Sequence, residues 1–145
     1  MREDEYSDVP GPEAPGEALT EPDWLQGVDS ESRGGLLMAL SNAMVGLKKR
    51  YYGKGPERAR TFINENYVFC VMESVLTTSE KTLLEAGEDD LVRSYRLKFE
   101  EAMTKTTTEA VEQLTGRKVL TYHSQIVFRP DRAFEIFVLD EPPGR

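Results

Sequence analysis

The sequence contains one histidine and one cysteine, two residue types that often act in catalytic sites. His123 lies between Tyr122 and Ser124 in a predicted strand, where a histidine could act as a general base or a proton sensor. We favour a structural, hydrogen-bonded histidine, because no catalytic motif surrounds it. Cys70 lies in the most apolar predicted strand, which indicates a buried, unreactive thiol. Glu73, at the end of that strand, is interpreted as a solvated carboxylate rather than a pocket residue.

Motifs for nucleotide, metal and nucleophile sites are absent from the sequence. The loop Gly53-Lys54-Gly55-Pro56 is not a P-loop, because that motif has a longer loop, then Lys-Ser/Thr opening a helix after a strand. No dinucleotide, nucleophile-elbow, zinc-ligand or EF-hand pattern occurs. A Cys/His metal site within one chain is not expected from one histidine and one distant cysteine. The sequence therefore predicts no catalytic residue, no cofactor and no metal site.

A basic cluster is the strongest candidate for a binding site. Lys48–Arg50 end a predicted helix, where the helix dipole favours cations in any case. Lys54, Arg58 and Arg60 surround the Gly-rich loop, whose free amides favour an anion or an acidic partner surface. This loop is the part of the cluster that helix electrostatics do not explain.

Two arginines of a later predicted helix could extend this surface. Arg93 and Arg96 lie one turn apart and either join the basic loop in space or pair with Glu88, Asp89 or Glu100 on the helix surface. Such surface pairs stabilise a helix by only about 0.2–0.5 kcal/mol each. The predicted anion- or partner-binding residues are Lys54, Arg58, Arg60, Arg93 and Arg96.

The negative charge of the chain is concentrated at its N-terminus. The net charge is −8, whereas residues 1–32 contain ten acids and one base, so the remainder is nearly neutral. The prolines, glycines and acids of this stretch predict a disordered tail, in which Asp23-Trp24-Leu25 could dock on the domain or on a partner. The tail is also a candidate ligand for the basic loop, through a contact that salt would weaken. The predicted division is an acidic tail at 1–32, a domain at 33–140 and a short C-terminal tail at 141–145.

Composition and charge exclude several classes of protein. The N-terminus lacks the apolar segment of a signal peptide, and no apolar run approaches the ~20 residues that span a bilayer. A soluble, cytoplasmic protein, at most peripheral to a membrane through a partner, is therefore expected. The pI of about 4.8 argues against nucleic-acid binding. Tyr51-Tyr52 is the only adjacent pair for base stacking, and Tyr51 belongs to a predicted core stripe.

The hydrophobic periodicity predicts seven elements, in the order α-β-β-α-α-β-β. Apolar residues at helical spacing predict the first helix, and Thr77-Thr78-Ser79-Glu80 is a capping box that begins a short helix. A long helix is predicted from about Asp89 to Leu114, with a possible bend at Thr106–Thr108. Two predicted hairpins supply the strands. The fold class is therefore α+β, a four-stranded, mainly antiparallel sheet with helices on one face.

The last predicted strand carries apolar residues on both of its faces. Phe134, Ile136 and Val138 share one face, and Phe137 and Leu139 are expected on the face that the helices leave uncovered. One chain would then leave apolar surface exposed to water. A homodimer is accordingly expected.

An ordered set of short motifs resembles the MpsC family, named for a Na-translocating membrane-potential-generating system. The matching residues are Gly53-Lys54-Gly55-Pro56, Ala59-Arg60, Leu76-Thr77, Glu80-Lys81, Gly87, Arg93, Phe99, Thr115-Gly116-Arg117-Lys118-Val119, Ser124 and Glu135-Ile136-Phe137-Val138-Leu139. They span roughly residues 34–140. The resemblance implies a small accessory protein of sodium or inorganic-carbon transport, and no catalytic residue is carried over.

Two functions follow as hypotheses. In the first, the chain is a non-enzymatic accessory or regulatory module that binds a protein partner, such as a membrane transporter subunit, or an anion through the basic loop. In the second, it is a small-ligand-binding or catalytic domain with a pocket between sheet and helices near Arg60, Glu73, Arg93 and His123.

Overall fold

A computed structural model describes the backbone of residues 6–7 and the residues 32–144. Two helices and two hairpins alternate along the chain, with a short helix between them, as predicted. The elements are β1 Tyr6–Ser7, α1 Arg33–Tyr52, β2 Arg58–Asn64, β3 Tyr67–Glu73, α2 Thr78–Glu85, α3 Asp89–Thr115, β4 Val119–Phe128 and β5 Asp131–Leu139. The predictions for the acidic tail, including Trp24, fall outside these residues except at Tyr6–Ser7.

The strands form one antiparallel sheet in the order β1-β2-β3-β5-β4. The hairpins β2–β3 and β4–β5 join through pairing of β3 with β5, so Val71 faces Phe134 across the centre. The predicted four-stranded antiparallel sheet is confirmed. The two-residue strand β1 extends it by pairing Tyr6 with Arg60 and Ser7 with Ala59 on β2.

Helix α1 follows from local signals at both of its ends. The Ser32 hydroxyl accepts a hydrogen bond from the Gly35 amide at 2.9 Å, and Gly53 ends the helix in the left-handed region at φ +82°. Between these ends, leucines and Met44 at helical spacing pack against the sheet in the hydrophobic core. This packing places Lys48 on the sheet-facing side of the last helical turns.

Helices α2 and α3 complete the layer on the same side of the sheet. The capping box is confirmed: the Thr77 hydroxyl accepts from the Glu80 amide and the Glu80 carboxylate accepts from the Thr77 amide. Helix α3 continues through the threonine run, where the Thr108 hydroxyl donates to the Thr104 carbonyl. α1 and α3 therefore lie side by side, and their contact positions Lys48 near Glu100.

Alternation along the strands divides the sheet into a face covered by the helices, the covered face, and an opposite open face. On β5, Phe137 and Leu139 are buried in the helix-side core, so the expectation that they lie on the uncovered face is wrong. Phe134 and Ile136 lie on the open face instead. The reason is that both residue sets of β5 are apolar, so hydrophobicity did not distinguish them.

Candidate functional site

A cluster of charged and polar side chains is buried where α1, α3 and the covered face meet. We call it the buried cluster, and its members come from four elements: Lys48 and Tyr52 from α1, Glu100 from α3, Tyr122 and Ser124 from β4, and Glu135 from β5. The Glu135 side chain is 1% exposed, and that of Lys48 is 4% exposed. Charged groups as deeply buried as these persist only when they are paired and hydrogen-bonded.

Lys48 bridges the two carboxylates of the buried cluster. Its Nζ lies 2.8 Å from Glu100 Oε2 and 3.0 Å from Glu135 Oε2. The Tyr122 hydroxyl lies 2.5 Å from Glu135 Oε1 and 3.2 Å from Glu100 Oε1. The Ser124 hydroxyl donates to Glu135 Oε2 at 3.0 Å. One ammonium thus serves two carboxylates, which are linked to each other through a shared tyrosine hydroxyl.

The environment moves the pKa values of these groups in opposite directions. Burial, together with the charge of Glu100, raises the pKa of Glu135. Burial also acts to raise the pKa of Glu100, but the charge and hydrogen bond of Lys48 outweigh it and lower that pKa below its usual range. Burial alone would lower the pKa of Lys48, yet Glu135 and Glu100 raise it. Glu100 is therefore the more readily ionised carboxylate of the pair, and Lys48 stays an ammonium.

A second buried ion pair lies beside the cluster. Arg96, whose side chain is 2% exposed, donates to both carboxylate oxygens of Glu80 at 2.6 and 2.7 Å and to the Val75 carbonyl at 2.9 Å. Its guanidinium also lies 3.8 Å from the centroid of the Tyr52 ring. Arg96 thus joins α2 to α3 and is turned into the protein, away from the surface position that the sequence analysis expected.

A cavity of about 450 Å³ opens between α3 and β4. Leu97, Ile126 and Ala133 supply apolar wall, whereas Glu100 and Ser124 belong both to this cavity and to the buried cluster. Volumes of this size are typical of small-molecule sites. The cavity therefore gives a small ligand access to one carboxylate of the cluster.

The predicted basic residues divide between two sides of the sheet. Lys54 lies in the loop before β2 and donates to the Ser74 carbonyl, and burial lowers its pKa. Arg58 and Arg60 lie on the open face, because the alternate residues Ala59 and Thr61 are buried under the helices. The structure therefore brings Lys54, Arg58 and Arg60 to one end of the sheet.

Arg93 lies on α3, on the covered side, and so does not join the basic loop. Its guanidinium lies 3.3 Å from Asp90 and 4.9 Å from the centroid of the Phe128 ring, at the wall of the cavity. The expected surface is thus not formed as a whole, because the sheet separates Arg58 and Arg60 from Arg93 and Arg96. Lys54, by contrast, lies near enough to Arg96 for the charge of Arg96 to act on its pKa.

The pocket expected near Arg60, Glu73, Arg93 and His123 is only partly matched by the cavity. Arg93 lines it, whereas Arg60 and Glu73 alternate onto the open face. His123 is exposed on β4, with its Nε2 3.5 Å from the Thr121 hydroxyl. Within residues 32–144, no group of three or more His, Cys, Asp or Glu side chains could hold a metal ion.

Cys70 is buried on the covered face, as predicted. Burial raises the pKa of its thiol to about 12. Because the thiolate is the reactive form, we expect an aromatic disulfide reagent to label Cys70 at least about 100-fold more slowly in the folded protein than in urea. Absorbance kinetics measure both rates, and prompt labelling of the folded protein would contradict this prediction.

Neither acidic member of the buried cluster is among the site residues predicted from the sequence. Glu135 stands alone among the apolar residues Phe134, Ile136 and Phe137, and a lone glutamate in such a strand is a signal that its carboxylate has a buried partner. The helix dipole alone explains a lysine at position 48, so nothing local indicates that Lys48 has buried partners.

No helix among the described residues is long and apolar enough to cross a membrane.

Two comparisons relate this chain to known sequences. A family model, described as a Na⁺-translocating membrane potential-generating system (MpsC), matches residues 32–141. A protein of Bacillus subtilis (strain 168), described as uncharacterized protein YrhF, is 31% identical over 96 residues, which are 65% of this chain and 79% of that protein. No solved structure matches.

Proposed function

This chain belongs to the MpsC family, and from that premise we propose that it serves a Na⁺-translocating membrane-potential-generating system as a non-enzymatic accessory protein. It binds a protein partner, and the movement of ions belongs to other, membrane-embedded subunits. The family description supports the system, and the surface described next supports the mode of binding.

The docking surface is the basic end of the open face, defined by Arg58, Arg60 and Arg132, with Lys54 in the loop at the same end of the sheet. Arg58 pairs in register with Glu73 on β3, which pairs with Arg132 on β5, so the arginines span three neighbouring strands. Glu57 and Asp131 lie near Lys54, so with Glu73 the described acids of this end number three against four bases, an excess of one positive charge. A partner with acidic groups fits this charge, and a second copy presenting the same basic end does not.

An aromatic row adjoins the basic end. The rings of Phe62 and Phe69 have centroids 6.2 Å apart, and those of Phe69 and Phe134 are 6.0 Å apart. The Arg60 guanidinium lies 5.1 Å from the centroid of the Phe62 ring. Aromatic residues and arginine are enriched at the energetic centres of protein interfaces. This juxtaposition is the observation that carries the proposal, and it fits an apolar partner patch with an acidic rim.

Reversing the charges of Lys54, Arg58 and Arg60 to glutamate should abolish capture of the partner. The tagged chain is incubated with gently solubilised membranes and with cytosol, and bound proteins are identified by mass spectrometry. A transporter subunit retained by the native chain and lost from the variant is the expected result. The single variant Arg58→Glu changes one exposed residue, so it tests the charge with little risk to the fold. It should weaken capture most at low salt, and less as added salt screens the charges.

The matched control reverses Lys98, Lys105 and Lys118, which are exposed and carry the same total charge. Capture should survive in the control. Equal loss in both triple variants would mean that net charge alone acts and would overturn the docking surface. Recovery of only a second copy of the chain, lost on reversal, would assign the open face to a homodimer instead.

A second candidate function is that of a small-ligand-binding domain, which the cavity beside Glu100 favours. Arg58 lies across the sheet from this cavity, so the Arg58→Glu variant tests the first candidate and leaves the second intact.

A further inference from the structure

The cavity meets the buried cluster at a carboxylate that a ligand can reach. The Glu100 side chain keeps 15% exposure and lines the cavity, whereas Glu135 behind it is 1% exposed. Ser124 lines the cavity too and donates to Glu135. The cavity therefore presents the oxygens of Glu100 and Ser124 beside an apolar wall of Leu97, Ile126 and Ala133. Arg93 and Arg96 line it too, each paired with a carboxylate, Asp90 and Glu80 respectively.

The charge of this region is one positive group short. Lys48 is the cation paired with both Glu100 and Glu135. The nearby guanidinium of Arg96 is neutralised by Glu80, and the exposed Arg93 is paired with Asp90. With both carboxylates ionised, the cluster would hold an extra negative charge in a region that water barely reaches, which is costly.

A proton shared by the two carboxylates would neutralise that charge. Burial raises the pKa of Glu135, and the Tyr122 hydroxyl lies between its carboxylate and that of Glu100. The titratable and charged groups that face the carboxylate pair come from every element packed against it: Lys48 and Tyr52 from α1, Cys70 from β3, Arg96 from α3 and Tyr122 from β4. The proton that a bound cation would replace is the one shared by the carboxylates of Glu100 and Glu135.

We propose that the cavity binds a small organic cation, with an ammonium-type donor head against Glu100 and Ser124 and a short apolar body against Leu97 and Ile126. The head supplies the positive charge that the shared proton otherwise supplies. Binding therefore releases one proton from the carboxylate pair to solvent, with no covalent change. The apolar walls and the volume select an organic amine over a bare inorganic ion, which would leave most of the cavity unfilled.

Calorimetry on the full chain with n-butylamine as the probe tests this inference, and n-butanol and butyrate are the matched neutral and anionic probes. Butylamine should bind at least about tenfold more tightly than either, as expected for one charged hydrogen bond. Titration in buffers of different ionisation enthalpy should show release of a proton. Equal affinity for butylamine and butanol, or no release of a proton, would overturn the proposal.

Two exposed leucines of α3 give a matched pair of variants. Leu97, 58% exposed, lines the cavity, whereas Leu91, 52% exposed, does not. Leu97→Lys removes apolar wall from the body of the ligand and adds a like charge to the cavity, so it should weaken butylamine binding about fivefold or more. Leu91→Lys should leave binding unchanged. Equal binding by these two folded variants would contradict the assigned cavity. The docking surface on the open face is untouched by either change, so capture of the partner reports separately on the accessory function.

Discussion

Replacing Glu80 by alanine should destabilise the protein by about 3–5 kcal/mol, because the guanidinium of Arg96 would stay buried without its carboxylate. Both oxygens of Glu80 accept from Arg96, at 2.6 and 2.7 Å, and one also accepts from the Thr77 amide. The substitution therefore removes a bidentate ion pair and one half of the capping box of α2. Few single changes in this fold would combine two such losses.

Urea unfolding followed by circular dichroism measures the change in the free energy of unfolding. The matched control is Glu109→Ala, since Glu109 lies 3.8 Å from Lys105 and both side chains are largely exposed. Surface pairs of this kind contribute less than about 1 kcal/mol. If Glu80→Ala and Glu109→Ala lowered the free energy of unfolding by similar amounts, the buried pair of Arg96 and Glu80 would contribute no more than an exposed one, which contradicts the prediction.

Lys48→Met should destabilise the protein by about 3–5 kcal/mol near neutral pH, and by progressively less as the pH falls. Methionine approximates the length of the lysine stem but leaves Glu100 and Glu135 without a cation. Both carboxylates would then take up protons in the folded state at a higher pH than the ordinary glutamate value of about 4.3. A group with a raised pKa in the folded state costs stability as the pH rises from its unfolded value through its folded one.

The native chain should show a weaker dependence on pH in the same range. Glu100, whose pKa is lowered, contributes stability that is present above its unfolded value and lost as the pH falls through the folded one. Glu135, whose pKa is raised, contributes in the opposite direction. Urea unfolding at several pH values compares the native chain, Lys48→Met and the half-buried neighbour control Lys49→Met. A Lys48→Met variant as stable as the control at neutral pH would contradict the role given to Lys48.

Adding Glu135→Gln to Lys48→Met should restore part of the lost stability. The double variant carries one buried carboxylate in place of two, and the glutamine can still accept from Tyr122 and Ser124. It should also depend less on pH than Lys48→Met alone. This comparison separates the charge of the buried cluster from the packing of its side chains.

The elements of this fold could be predicted because their signals are local. Ser32 and Gly53 bound α1, Thr77 and Glu80 cap α2, and the hairpins follow alternating strands joined by short turns. The layer to which each residue belongs depends on contacts between distant segments. Arg93 and Arg96 resembled Arg58 in charge and spacing, yet packing of α3 on the covered face separated them from it.

The buried cluster could be predicted even less, because it joins residues as far apart as Lys48 and Glu135. Each member has an ordinary local explanation: a cation at a helix C-terminus, an acid on a helix, a polar residue in an edge strand. These residues contact one another only because the fold brings α1, α3 and the two C-terminal strands together. By contrast, the buried thiol of Cys70 followed directly from the apolar residues around it.

The buried Glu135 also determines how β5 can align with its neighbours. A shift of β5 by one residue would exchange its two faces, placing Phe134 and Ile136 under the helices and moving Phe137 outward. Hydrophobic burial alone would permit that exchange, since the apolar residues of either face could pack in the core. The exchange would, however, leave the buried Lys48 ammonium facing the side chain of Phe134 or Ile136, while Glu135 pointed to water. The ion pair between Lys48 and Glu135 therefore selects the native register of β5 over a shifted register that hydrophobic burial alone would permit.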